Sequence, residues 1–143
     1  MKRIFSTTLL SGVLAAGLAF SPVSSASTSY FQQFGGIAGT RSMVNEFVNR
    51  ASADPRIAAY FAHTSIPALK AALTIQFCNL EGGGCKFNMN MHAIHANLGV
   101  TQAAFNALAS DLTRTMDQHH IPMAAQNNLL AKLAAMEPEI VTK

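Results

Sequence analysis

The densest group of residues able to do chemistry in this chain is Met89-Asn90-Met91-His92-Ala93-Ile94-His95, where two thioethers and two imidazoles share one short segment. Thioether sulfur is a soft ligand and imidazole a borderline one, so the pattern suits a transition metal. On a helix Met91 and His95 share a face, four residues apart, and His92 lies about 60° to one side. Three readings fit. His95 could point inward and give a neutral imidazole nitrogen to a haem iron, with Met91 packed against the macrocycle. Met89, Met91, His92 and His95 could instead bind copper, as in a periplasmic copper-binding protein. Or the segment is a surface helix whose histidines are solvated. The cluster by itself leaves all three open.

Elsewhere such residues are sparse. No nucleotide-binding loop, no Gly-x-Ser-x-Gly, no His-Glu-x-x-His and no pair of carboxylates at helical spacing occurs, which disfavours hydrolases. Two cysteines remain, Cys78 and Cys85. A bond between them would close a short loop and stabilise the chain by roughly 2–3 kcal/mol. Two buried free thiols are the alternative, because spacing alone does not place the Cα atoms within bridging distance.

The compartment bears on that choice. Lys2 and Arg3 precede an apolar run from Ile4 to Phe20 diluted by Ser, Thr and Gly, and Pro22 and Ser24-Ser25-Ala26 follow. This is the pattern of a secretory signal peptide over residues 1–26. A spanning helix needs about 20 mostly apolar residues, so no stable membrane anchor is expected after cleavage. Residues 27–143 then form one domain, exported to the periplasm or secreted, where disulfides persist. Lys2 and Arg3 account for much of the net charge of +3, and what remains is nearly balanced. No nucleic-acid partner is implied.

The elements that must position the cluster read as helices. Ile37, Met43, Val44, Phe47, Val48 and Ala51 follow a helical period between the Gly35-Gly36 break and Asp54-Pro55. Ser65 can cap a second helix, with Pro67 in its first turn and Leu69, Ala72, Leu73, Gln76, Phe77 and Leu80 along one stripe. Gly82-Gly83-Gly84 ends it. The Met and His segment comes next, closed by Gly99. Thr101 opens a third long helix with Phe105, Leu108, Leu112 and Met116 inward, and Pro122 a fourth with Leu129, Leu130, Leu133 and Met136 inward. No segment alternates as a strand does, so the fold class is all-α.

Read in order, the chain from Tyr30 to Val141 resembles the group 1 truncated haemoglobins. The resemblance rests on Tyr30-Phe31-Gln32-Gln33-Phe34-Gly35-Gly36, on Asp54-Pro55-Arg56-Ile57 with Tyr60-Phe61, and on the glycine break. It is completed by Met91-x-x-x-His95-x-x-Leu98-Gly99-Val100-Thr101-x-x-x-Phe105. It implies a truncated globin-like helical sandwich around a haem b, with His95 as the iron ligand. Phe47 and Phe61 match aromatic residues that wall the haem, and Leu69, Leu73 and Phe77 match distal-helix positions. The paired Cys78 and Cys85 resemble those of an exported branch of the family, often with Pro where Gly84 stands. The segment before His95 is about one residue shorter than in relatives.

Two departures from that pattern matter. Val48 stands where many relatives have Tyr, and Leu73 where they often have Gln, so neither usual distal hydrogen-bond donor is present. The expectation is reversible binding of O₂, or of NO or CO, in an apolar distal pocket. Gln76, read as a solvated or capping side chain, and His63 are the remaining distal candidates. Lys70 and His92 are expected to meet the haem propionates, and His119 and His120 to suit a helix C-terminus. A haem enzyme, oxidising nitric oxide or acting as a weak peroxidase, is the alternative, disfavoured because oxygen–oxygen bond chemistry normally needs a distal polar group. The redox partner is left unassigned.

Overall fold

An 18-residue helix, α2 (Gly36–Ala53), follows the short α1 (Tyr30–Gln33) and is the longest element of the computed structural model, which describes residues 28–143. The segment read as a signal peptide lies outside the described residues. A 3-10 turn (Ala58–Phe61) leads to α3 (Ile66–Leu80), a glycine loop to α4 (Met91–His95), and then come α5 (Gln102–Gln118), α6 (Met123–Ala134) and α7 (Glu137–Ile140). There is no strand among the described residues, as the lack of alternation implied.

The long helices form where the apolar period predicts them. On α2, Met43, Val44, Phe47, Val48 and Ala51 are buried, and this face packs against α3 and α5. Ile37 shares the stripe but is 39% exposed, because the first turn lies at the margin of that packing. Polar pairs clamp α2 to α5 from outside: Arg50 Nε donates to Thr115 Oγ1 at 3.1 Å, and His119 Nε2 meets Glu46 Oε2 at 2.9 Å. For His119 this specific pair adds to the favourable helix terminus expected from sequence.

Helix ends follow local chemistry, with one exception. Thr101 Oγ1 accepts from the Ala104 N–H at 3.1 Å, and Asn90 Oδ1 accepts from Ala93 N–H at 2.8 Å, so α5 and α4 both start on side-chain caps. Ser65 occupies the N-cap of α3, but its hydroxyl makes no capping bond. Pro67 takes the second helical position, one of the two whose N–H a capping hydroxyl can use, and proline has none.

The loop between α3 and α4 is pinned where it leaves α3. Cys78 and Cys85 form a disulfide, which decides between the two readings left open above. Gly83 sits against it: a Cβ there would come within 2.7 Å of Cys78 Sγ and 2.8 Å of the Phe31 ring. Glu81, buried at the end of α3, accepts from Asn128 Nδ2 at 3.0 and 3.1 Å and lies 4.0 Å from Lys132 Nζ. Lys132 also donates to the Leu80 carbonyl, so α6 closes over the exit of α3.

Candidate functional site

The apolar stripe of α3 does not end in a packed core. Leu69 and Leu73 are only half-buried, as are Phe105 and Leu108 on α5, because they face empty space. Two adjoining cavities of about 300 and 630 Å³ share Phe47, Leu69, Leu73, Ile94 and His95 in their walls. Val48, Ile57, Tyr60 and Phe61 wall the smaller one, and Gln76, Phe77, Met89 and Met91 the larger. Phe47 and Phe77, stacked with ring centroids 6.4 Å apart, form the seam between α2 and α3 behind the cavities. Such a volume, mostly apolar with few polar groups, is the size class that holds a large organic ligand.

His95 is a polar side chain shared by the walls of both cavities. Its Nδ1 lies 2.8 Å from the backbone carbonyl of Met91, one turn earlier on α4. A carbonyl can only accept, so Nδ1 carries the proton. Nε2 is left with its lone pair and no hydrogen-bond partner among the described residues. That is the tautomer and the outer partner a metal-ligating imidazole needs, because the carbonyl fixes the orientation of the ring.

The residues expected around the site divide clearly. The structure brings His95, Phe47, Phe61, Leu69, Leu73, Phe77, Met91, Val48 and Gln76 to the cavity walls. Lys70 and His92 are elsewhere. Lys70 Nζ donates to Asn49 Oδ1 at 2.7 Å across the α2–α3 junction, away from both cavities, and His92 is exposed and lines neither. Gln76 is not solvated but 5% exposed, and it stands with Met91 in the larger cavity rather than with Val48 in the smaller. His63 is exposed and outside both. Of the Met and His cluster, Met89, Met91 and His95 reach the larger cavity without His92.

Other residues than Lys70 and His92 form the rim. Tyr60 Oη donates to the Gly99 carbonyl at 3.4 Å. The terminal segment folds back there, with the N–H groups of Thr142 and Lys143 both directed at Val100 O, at 2.9 and 3.2 Å. Lys143 covers Gly99: a Cβ on that residue, whose φ is +61°, would lie 3.1 Å from Lys143 Cε and 3.3 Å from Nζ. An ammonium thus stands beside cavity-lining Tyr60, Leu98 and Val100. No pattern along the chain joins residues this far apart.

A separate polar cluster lies behind the 3-10 turn. Arg56 donates from Nε and Nη2 to both oxygens of Asp54, at 2.5 to 3.0 Å, and this holds the Asp54 carboxyl down at about 2. Asp111 is pushed up, first by burial and then by hydrogen bonding with Asp54. The Asp54-Pro55-Arg56 segment therefore anchors the turn that delivers Tyr60 and Phe61 to the cavity.

The sequence profile of the bacterial-like globin family matches residues 29–142. This chain is a bacterial-like globin. It is 25% identical over 115 residues to the group 1 truncated hemoglobin GlbN of Mycolicibacterium paratuberculosis, covering 80% of this chain and 85% of that one. In fold it is similar to the truncated hemoglobin of Tetrahymena pyriformis in its Fe(III) form, with a TM-score of 0.76 at 20% identity, covering 81% of this chain and all of that one. It is also similar to the 2/2 hemoglobin of Synechococcus sp., solved in the cyanomet state with covalently attached heme. There the TM-score is 0.74 at 21% identity, with the same coverage. The globin's all-helical architecture and its group 1 truncated class thus agree with the resemblance read from sequence. Haem is the cofactor such a globin implies, and the residues present fit it: an apolar slot, one imidazole with a free Nε2, and the Lys143 ammonium at the rim for a carboxylate.

Proposed function

We propose that this globin is an exported, haem-binding protein that reversibly binds O₂, or another diatomic gas, in an apolar distal pocket. When bound, haem would supply an iron able to take the gas. His95 would hold that iron through Nε2, in the tautomer fixed by the Met91 carbonyl. Phe47, Phe61 and Phe77 would pack against the haem and exclude water. Lys143 would receive a carboxylate at the rim, in place of Lys70 and His92.

The observation that carries the apolar reading is the wall formed by Val48, Leu69 and Leu73, which offers a ligand no N–H or O–H. Tyr60 Oη is engaged by Gly99, and the Gln76 amide is turned toward sulfur. A hydrogen bond in a dry site contributes about 1–2 kcal/mol, so its absence weakens O₂ retention roughly ten-fold. The less polarised CO loses less. The same wall disfavours nitric oxide oxidation and peroxidase chemistry, which draw on a distal acid or donor. Export is supported by the Cys78–Cys85 disulfide, a bond that belongs with an oxidising compartment.

The test is the absorption spectrum of the haem-supplied protein, oxidised, reduced and with CO, together with O₂ and CO dissociation rates. A Soret band that shifts with CO and is lost in His95→Ala, with fast O₂ release and a high preference for CO, is expected. Absence of the band with excess haem overturns the reading and brings copper binding by Met89, Met91 and His95 forward.

A further inference from the structure

His95 rides on a helix of only five residues. One or two turns are not self-supporting, so α4 must be held by tertiary contacts. Of its residues His92, Ala93 and Ile94 are exposed, and Met91 alone is buried. The register of α4 against the cavity therefore depends on the Met91 side chain, and the ring of His95 depends on the carbonyl of that same residue.

Methionine is flexible and its thioether adapts to many surroundings, so something else must fix it. Gln76, on the 15-residue α3, lies with Nε2 3.7 Å from Met91 Sδ and 3.7 Å from Met136 Sδ. Met136 is the N-cap of α7, the element that packs on α4. One amide thus joins the end of α7 and the start of α4 to the helix that walls the cavity. Gln76 is 95% buried, and sulfur provides its only hydrogen-bond partners among the described residues. Sulfur is a weak acceptor, so an apolar side chain would suit this position better if stability alone were at stake.

We infer that Gln76 is a positioning residue for the iron ligand: its amide holds the Met91 thioether, and through the Met91 carbonyl it sets the orientation and tautomer of His95. The inference rests on the haem-globin reading for its consequence, though its geometry belongs to the protein alone. Gln76 makes no claim on the gas ligand, and it faces the α4 side of the cavity.

The experiment is resonance Raman spectroscopy of the reduced, gas-free, haem-loaded protein, comparing wild type with Gln76→Met, which keeps the volume and removes the donor, and with Met91→Leu, which removes the acceptor. The expected result is an iron–histidine stretching band shifted and broadened alike in both variants, with no further change when the two are combined. Haem loss should be about ten-fold faster, the lower end of what outer-shell partners of metal-ligating histidines contribute. Thermal stability of Gln76→Met should stay at or above wild type. A band unchanged in position and width in both variants, whatever happens to stability, overturns the inference. Should wild type take up no haem, the globin reading fails and the ¹⁵N signals of His95 in the haem-free chain decide this one. A pure Nδ1–H tautomer in wild type that becomes mixed in Gln76→Met supports it, and identical tautomers overturn it.

Discussion

The two sides of the cavity are held in place by different means. On one side α2 and α3 are long, periodic helices whose apolar stripes bury Val44, Phe47, Val48 and Phe77 against each other and against α5. On the other side α4 is a single turn and a half, mostly exposed, and it reaches its place through a pinned loop, a buried methionine and contact with α7. The packing that folds the chain also builds the α3-side wall. The α4-side wall, which carries His95, depends on a few tethers, and those tethers lie outside the hydrophobic core. Mutations should therefore separate into those that unfold the protein and those that leave it folded with a misplaced histidine.

The first substitution attacks the wall that is also core. Phe47 is 3% exposed, stacks on Phe77 and lines both cavities. Phe47→Ala should cost about 3–5 kcal/mol, read by urea unfolding of the haem-free and haem-loaded protein. If the loss were confined to haem binding, with unfolding unchanged, the idea that this wall and the core are one structure would fail.

The next effect strikes the tethered side. The loop that Cys78 and Cys85 close is short, and removing the bond in a Cys78→Ser, Cys85→Ser variant should cost roughly 2–3 kcal/mol. Because this loop delivers α4, hydrogen exchange should rise from Gly82 through His95 while α2 and α3 stay protected. Uniform loss of protection would mean that α4 is part of the same cooperative unit as the long helices.

Much of this division was legible in the sequence, and its limits are instructive. The periods of α2, α3, α5 and α6 announce the walls, and the family resemblance singled out His95, which the fold places in the walls of both cavities. Gln76 falls on the same stripe as Leu69 and Leu73, so its inward position was readable from spacing. Its polarity argued for solvent, because the partner that buries it, Met136, lies 60 residues away. Lys70 was expected at the rim as a cation for the haem carboxylates, but the docking of α2 presents Asn49 to it instead. Tyr60 with Gly99, and Lys143 over Gly99, are contacts made by topology alone. What periodicity encodes is which face is apolar. What it leaves out is which distant polar group meets that face.

A smaller effect sharpens the chemistry of the wall proposed to face the gas. Val48 points into the smaller cavity, so Val48→Tyr adds a phenolic donor there without touching α4. O₂ dissociation should slow about ten-fold, corresponding to ~1–2 kcal/mol for one hydrogen bond in a dry site, while CO dissociation changes little. The iron–histidine stretch should stay where it is. A shift in that band would show that the two walls communicate, contrary to the separation argued above.

The smallest effect concerns the joint between the two sides. Glu81 ends α3, just before the loop to α4, and burial pushes its carboxyl up despite the opposing contributions of Asn128 and Lys132. A carboxyl raised in the folded state favours folding while it is protonated. As pH rises from the ordinary value of 4.5 through the raised folded value, the unfolded chain ionises first and stability falls. Above that window the full penalty is present. Glu81→Gln keeps an oxygen to accept from Asn128 and has no charge to bury, so at pH 7 it should unfold about 1–3 °C above wild type, with the gap closing toward pH 4. A gap that is constant with pH would mean that the carboxylate of Glu81 is fully compensated by Asn128 and Lys132. The joint would then be an ion pair holding the two sides together rather than a buried charge tolerated where they meet.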